Sequence, residues 1–380
     1  MKKTVYYWSP FLGRVATIRS VINSMIGLKK YKEKNYEINL INCYGEWNDF
    51  RSHLKKESVN VVSLQKKFIF NVDLYGFLFS RLIYFFTLIV SYQKLKNLLI
   101  KNKPNFLIVH LLTYIPFIMY LNNNFKTKLI LRISGYPRLN FIRKYFWKFS
   151  NNSIFKVTTP TKQTQKDMFD LEIFDKKKIH YLPDPVFLVK DLKKKYSKNF
   201  FKKNYILNIG RLSKQKNQKL LINSFANISQ KYPKINLLIL GDGELKFELK
   251  KLAKQHHLEK RIFFNNHTKN PYQLIKKSLC VIVSSLWEDP GFVMIEASAL
   301  KKNVICSNCP NGPKEFFKNG KNNLLFENNN LRSLISTFEK FMNTKKVDQE
   351  KILQTNFRQS LSFSDQGHSK KFEYILNVSR

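Results

Sequence analysis

Short apolar runs recur along this chain, and each is followed by a stretch in which apolar residues return every three or four positions. Thr4 to Trp8 is the first such run; it closes at Ser9-Pro10-Phe-Leu-Gly13, and Arg14 to Leu28 then carries a helical period. Tyr36 to Tyr44, Val59 to Leu64, Phe106 to His110, Lys128 to Ile133 and Ser153 to Thr158 read as further strands. The pattern restarts with Tyr205 to Ile209 and continues through Ile235 to Leu240, Arg261 to Phe264, Leu279 to Val283, Asn303 to Cys306 and Leu324 to Phe326. Strands that alternate with helices predict parallel sheets joined by right-handed crossovers, with ligands at the carboxyl ends of the strands. The expected fold is therefore α/β: two Rossmann-like, doubly wound domains facing across a cleft.

The break between the two series falls at Leu182-Pro-Asp-Pro185 and the polar, lysine-dense Lys190 to Lys203. It divides the chain into a domain over residues 1–190 and a second over 204–362, leaving 363–380 as a closing segment. Two domains also suit 380 residues, more than one core comfortably holds. Leu74 to Val90 is the most hydrophobic segment, but it is short for a bilayer span and Arg81 interrupts it. A buried domain helix is the expectation, and an amphipathic face resting on lipid is the alternative.

Charge changes the picture. Lys and Arg number 67 against 26 Asp and Glu, a net charge of +41. Such a surface attracts nucleic acid, nucleotide phosphates or an anionic leaflet. Lys, Asn, Ile and Phe are all abundant, as AT-rich coding would make them, so charge alone names no partner; no nucleic-acid motif is present and nucleic acid is not expected. Cys43, Cys280, Cys306 and Cys309 make no disulfide framework, and Cys306-x-x-Cys309 lacks the second pair or histidines that zinc would need. Lys2 and Lys3 precede only Val5-Tyr-Tyr-Trp8, too little for a secretory signal, so the chain reads as cytoplasmic.

Chemistry concentrates at strand-to-helix turns of the second half. Asp289-Pro-Gly291 leads into a helical pattern from Phe292, and backbone N–H groups of a first helical turn form a seat for an anion. Glu288 stands before that helix and Glu296 in its second turn, where a carboxylate can accept two hydrogen bonds from a sugar diol. In Asn208-Ile-Gly-Arg-Leu-Ser-Lys-Gln-Lys-Asn217, Gly210 allows close backbone approach, Arg211 offers a fork for phosphate oxygens and Lys216 a point charge. Gly241-Asp-Gly243 lacks the full dinucleotide spacing, so a nicotinamide site has weak support and a tight turn is the alternative.

These residues resemble the retaining glycosyltransferases of the large group 1 class, which have a GT-B fold of two Rossmann domains. The resemblance rests on Gly210-Arg211-Leu212 with Lys216, on Gly241-Asp242-Gly243, on Glu288 and Glu296 around Pro290-Gly291-Phe292, and on Asn311-Gly-Pro-Lys-Glu-Phe316 before Asn319-Gly320. They follow the family's order across residues 205–326. The amino-terminal half resembles the family only through the Gly13 turn and His110. The resemblance implies a nucleotide-sugar donor whose diphosphate is held by Arg211 and Lys216. Glu296 would bind the ribose and Glu288 the transferred sugar. Backbone N–H groups of Gly291, Phe292 and Val293 would contact phosphates or sugar, and Asn265 to His267 would border the base. The segment 363–378 would return to the first domain. Histidines that the family often carries are replaced here by Ser134-Gly135 and Leu112, which leaves His110, or Ser134, to take that place.

The implied activity is transfer of a hexose, with retention of anomeric configuration, to a lipid-diphosphate-linked glycan in the synthesis of a polysaccharide or lipopolysaccharide. The enzyme would be peripheral on the anionic inner face of the cell membrane. No Asp-x-Asp motif appears, so no metal or other cofactor is expected. A nucleotide-sugar epimerase of the same architecture, or a non-catalytic basic protein binding nucleic acid or membrane, are the alternatives.

Overall fold

The computed structural model describes residues 2–11, 16–65, 77–137, 139–194, 201, 203–266, 268, 271–317 and 324–378, with only the backbone at 16 and 77–88. Gly13, His267 and Asn319-Gly320, singled out above, lie outside the described residues. The chain forms two compact units, residues 1–188 with 364–380, and residues 189–363.

In the first unit β1 (Lys3–Trp8), α1 (Ala16–Tyr31), β2 (Tyr36–Asn42), α2 (Arg51–Lys56), β3 (Asn60–Ser63), α3 (Phe77–Asn102) and β4 (Phe106–Val109) follow one another. They continue as α4 (Tyr114–Leu121), β5 (Lys128–Arg132), α5 (Phe141–Phe149), β6 (Ile154–Thr159), α6 (Lys162–Asp170) and β7 (Ile179–Tyr181). The seven strands are parallel in the order β3-β2-β1-β4-β5-β6-β7. Because side chains alternate across a pleated sheet, β1 serves two layers. Val5 and Tyr7 pack with Ile18, Val21 and Met25 of α1. Tyr6 and Trp8 pack on the other side with Leu95 and Leu99 of α3 and Phe117 of α4. In the described part of α3, Ser91, Leu95 and Leu99 make one buried stripe at four-residue spacing, the pattern of a helix laid on a sheet. Among the described residues no helix is long and apolar enough to cross a membrane.

The second unit repeats the plan with α7 (Val189–Leu192), β8 (Tyr205–Ile209), α8 (Gln218–Lys231), β9 (Asn236–Leu240), α9 (Lys246–Gln255), β10 (Ile262–Asn265) and α10 (Tyr272–Lys277). It is completed by β11 (Val281–Val283), α11 (Phe292–Ala299), β12 (Val304–Ser307), α12 (Gly312–Phe316), β13 (Leu324–Phe326), α13 (Leu331–Asn343) and α14 (Lys346–Ser360). Its six parallel strands run β10-β9-β8-β11-β12-β13. Strands buried on both faces read as continuous apolar runs, which is why Leu237, Leu238 and Ile239 are all inaccessible.

The last helix, α15 (Asp365–Asn377), belongs to the first unit. Phe372, Ile375 and Leu376 enter the same core as α1. The two helices meet at Gly27, where a Cβ would lie 2.5 Å from Ser369 Oγ. The Lys156 ammonium donates to the carbonyls of Ile375 (2.7 Å) and Val378 (2.8 Å), charge placed where the negative end of a helix favours it.

Each sheet reverses its winding once, between β1 and β4 in the first unit and between β8 and β11 in the second. At such a switch point neighbouring loops leave in opposite directions and open a crevice. His110 follows β4, while Gly210-Arg211-Leu212 follows β8 and Ser284 to Gly291 follows β11.

Candidate functional site

The switch point of the second sheet is built by two loops sewn together. Ser284 Oγ donates to the Lys216 carbonyl (2.9 Å), Leu286 N–H to the Gln215 carbonyl (2.8 Å), and the Gln215 amide to the Trp287 carbonyl (2.9 Å). The Lys216 ammonium completes the seam with a hydrogen bond of 2.5 Å to Glu288 Oε1. Ser285 Oγ donates to the same oxygen at 2.6 Å. Among the described residues both donors reach Oε1, and Oε2 is left for another. Glu288 is only 6% exposed, and Lys216 is its ion-pair partner.

Gly210 has a different use from the one its sequence position suggests. A Cβ there would lie 3.3 Å from Cγ and Cδ of Lys216, so the glycine makes room for the lysine stem. The Gly241-Asp-Gly243 turn is likewise pressed against protein. A Cβ on Gly241 would sit 1.9 Å from the Gly210 carbonyl oxygen, and one on Gly243 2.4 Å from that of Leu212. Leu212 N–H donates to the Asp242 carbonyl and Leu245 N–H to that of Leu212. The turn braces the Arg211 loop.

Arg211 points outward and pairs with Glu244 at 3.3 Å, both side chains more than half exposed. A pair so solvated holds its partners weakly and leaves the guanidinium able to swing. Asn265, exposed at the end of β10, accepts Gly241 N–H through its carbonyl, and Asn266 accepts from Lys246 at 2.8 Å.

Helix α11 opens at the same switch point. Gly291, at φ +93°, caps it in a left-handed conformation with no side-chain cap. The first N–H groups of the helix therefore have no cap acceptor, and Phe292 and Val293 are partly exposed beside them. Glu296 lies one turn further on, 3% exposed. The helix entry is fixed by the 311–312 segment. Glu288 bridges to Asn311, and a Cβ on Gly312 would fall 1.8 Å from the Pro290 carbonyl oxygen. Ser307 Oγ donates to Asn328 Oδ1, and the Asn328 amide to the Leu286 carbonyl, holding the β11 loop from behind. Ser285 and Asn328 were not among the expected site residues. Both are common polar residues whose partners lie 3 and 42 positions away, and nothing in a local pattern marks them. Cys306 and Cys309 lie nearby as buried thiols. Desolvation, and secondarily the neighbouring Cys309 and Glu288 charges, raises Cys306 well above the thiol range, and desolvation with Glu288 pushes Cys309 up to about 12.

In the first unit, His110 is buried at the end of β4 with its ring stacked on Tyr7 at 6.0 Å. Neither ring nitrogen has a hydrogen-bond partner among the described residues. Burial, then the Arg132 and His368 charges, lowers its pKa well below 6.5, so the imidazole is neutral. A chain of hydrogen bonds lies close by. His368 Nδ1 faces the Pro183 carbonyl (2.7 Å) and must carry the proton; Nε2 accepts from Ser24 Oγ (2.8 Å), which takes the Tyr7 hydroxyl proton (2.9 Å). Arg132, at the end of β5, is buried against Asp184 and donates to the Leu182 carbonyl. Ser134 is exposed beyond β5.

The topology and the loop geometry define an α/β protein of the GT-B class. Residues 189–359, within the second unit, match the family model described as glycosyl transferases group 1. An uncharacterized glycosyltransferase of Methanocaldococcus jannaschii is 29% identical over 327 residues, 79% of this chain and 75% of that protein. The N-acetylgalactosamine-N,N'-diacetylbacillosaminyl-diphospho-undecaprenol 4-alpha-N-acetylgalactosaminyltransferase of Campylobacter jejuni is 27% identical over 65% of this chain and 66% of its own. Among solved structures, a glycosyltransferase from Rickettsia africae superposes over 100% of both chains with a TM-score of 0.78 at 16% identity. Anabaena HepE in complex with UDP and glucose covers 98% of this chain and 99% of its own at 0.72 and 14% identity. The protein is a glycosyltransferase.

Proposed function

We propose that the chain transfers a hexose or hexose derivative from a nucleoside-diphosphate sugar to a lipid-diphosphate-linked glycan, with retention at the anomeric carbon, at the anionic inner face of the cell membrane. The observation that carries the donor half of this reading is the Lys216–Glu288 pair beside the uncapped α11 entry. One ammonium proton is spent on Glu288, and the other two are available to diphosphate oxygens. The N–H groups of Phe292 and Val293 add fixed dipoles at the same place.

Breaking the anomeric bond puts negative charge on the departing diphosphate and oxocarbenium character on the sugar. Lys216, Arg211 swung away from Glu244, and the α11 amides stabilise the first charge without reorganising at the moment of reaction. Glu288 Oε2 receives a sugar hydroxyl, and Glu296 the ribose. Metal-free leaving-group stabilisation follows from these cations. The acceptor attacks from the face the diphosphate leaves, and His110, a neutral imidazole, offers it a hydrogen-bond partner.

Support for the donor comes from HepE, solved with UDP and with glucose, which makes UDP-sugars the first to test. Support for the acceptor comes from the Campylobacter relative, whose named substrate is a diphospho-undecaprenol glycan, and from a 34%-identical amylovoran biosynthesis glycosyltransferase of Erwinia amylovora matched over 31% of this chain. The alpha linkage in the Campylobacter name is what retention gives from an α-linked donor. A melting screen across UDP-, GDP- and dTDP-sugars tests the reading, since a ligand of the folded state raises the midpoint. One class should stabilise the wild type and fail to stabilise Lys216→Ala. No stabilisation by any donor would overturn it.

A further inference from the structure

Helix α5 carries two apolar faces, and only one is used by the fold. Trp147 is buried against Phe117 and Phe174, and Arg143 lies 4.8 Å over the Trp147 ring on that side. The other face is open: Phe141 is 74% exposed, Ile142 77%, Tyr145 59% and Phe149 74%. At about 100° per residue these four positions fall within about 100° of arc. The Phe141 and Tyr145 rings touch, with centroids 4.4 Å apart, and make a continuous ridge. Lys144 and Lys148, both exposed, fall in the adjoining sector, so one edge of the ridge is cationic and no acidic residue lies within the helix. Asn140 caps the helix by accepting the Arg143 N–H at 2.9 Å, which keeps these positions helical.

A solvated helix has no reason to turn four large apolar side chains outward. We propose that this face of α5 is the bilayer-docking surface of the protein, with Phe141, Ile142, Tyr145 and Phe149 entering the headgroup and upper acyl region and Lys144 and Lys148 meeting anionic lipid phosphates. Charge complementarity selects this occupant. Lysines flanking aromatic and aliphatic anchors match an anionic interface, where Tyr rings and lysine stems place their polar ends at headgroup level. A second copy of this chain, itself at +41, would bring like charge to the same edge. The helix follows the loop that leaves the carboxyl end of β5, the end at which open parallel sheets in general bind ligands. The inference deepens the reading of a lipid-linked acceptor by naming the surface that brings this unit to the lipid.

Flotation of the full chain with vesicles tests it. Binding is expected to vesicles of phosphatidylcholine with 30% phosphatidylglycerol, roughly, and to fall steeply with salt. The Phe141→Ser, Ile142→Ser, Phe149→Ser triple variant should lose about a hundredfold in partition. Lys144→Gln with Lys148→Gln should lose about twentyfold on anionic vesicles. Lys250→Gln with Lys254→Gln, the same charge change on the exposed side of α9, should change it by less than about twofold. Equal losses for the two lysine pairs would overturn the proposal, because diffuse charge would then explain binding. So would unchanged vesicle binding of the triple variant, above all if sedimentation showed that it had dissociated an oligomer. Phe149→Trp keeps the face intact and guards against misfolding of the triple variant: its emission should shift to the blue and be quenched by brominated acyl chains, and absence of quenching overturns the docking mode. None of these readouts requires a donor, so failure of the nucleotide-sugar reading leaves a separate signature in the melting screen.

Discussion

The two sheets of this protein are wound alike, yet their switch points hold opposite chemistry. At β8/β11 a lysine and a glutamate are tied at 2.5 Å beside an open helix mouth. At β1/β4 the ionisable group is a buried neutral imidazole stacked on tyrosine, and Arg132, whose charge acts on it, is sequestered by Asp184. Among the described residues, a fold used twice within one chain thus carries an ion pair at one switch point and a buried neutral ring at the other. Topology supplies the crevice; the loops decide whether it is polar enough to hold phosphate or neutral enough to receive a hydroxyl.

Removing the charge from the second switch point should produce the largest effect. Lys216→Ala is expected to cut kcat/KM by about 10²–10³-fold, the scale of losing one preorganised donor to a developing anion. Its urea midpoint should also fall, because Glu288 is left as a buried carboxylate without its cation, so turnover is read below that midpoint on folded protein; turnover that survived the change would erase the contrast between the two sites.

Acid should strike the first unit. Burial holds the folded His368 pKa down to about 4 against 6.5 when exposed. Between those values the unfolded chain takes up the proton and the folded one does not, so stability is full above pH 6.5 and declines as pH falls toward 4. The loss from this group reaches roughly 3 kcal/mol. Denaturant titrations of wild type and His368→Gln across that window isolate the contribution, and parallel curves would show that His368 titrates in the folded state as it does in water. His110 works in the same direction.

His110→Ala gives a smaller and different signature. Losing one hydrogen bond to a neutral group should cost about tenfold in acceptor KM, with donor affinity unchanged. A change in nucleotide affinity instead would place the imidazole on the donor. Smallest of all, Glu244→Gln removes the exposed partner of Arg211 and should leave stability within about 0.5 kcal/mol, read as the melting midpoint.

The alternation of apolar runs with helical periods marked twelve of the thirteen described strands to within a residue or two; β7, three residues long with His180 at its centre, offers too short an apolar run to read. Glu288 and Lys216 were each legible as a charge in a loop after a strand, the first beside Glu296 and the second beside Arg211; that the two touch each other is shown by the structure. What the residues did not reveal was the work of the glycines. Gly210 read as a ligand-facing position, Gly241 as a turn and Gly312 only as part of a motif, whereas at each of them protein atoms lie close to where a side chain would start. Their neighbours are Lys216, Gly210 and Pro290, 6, 31 and 22 positions away, brought close by loop conformations that no periodic pattern encodes. The outward ridge of α5 was legible only as a mixture of cations and aromatics; which side of the helix faced the sheet depended on Phe117 and Phe174, from neighbouring elements.

The return of α15 has a consequence for synthesis. Phe372, Ile375 and Leu376 belong to the core that also holds β1 and α1, so a core begun by those two elements is sealed only after the whole of the 189–363 unit has been synthesised. The stretch between can settle first, as an insertion in an unfinished host, while the host keeps an apolar flank open to chaperones.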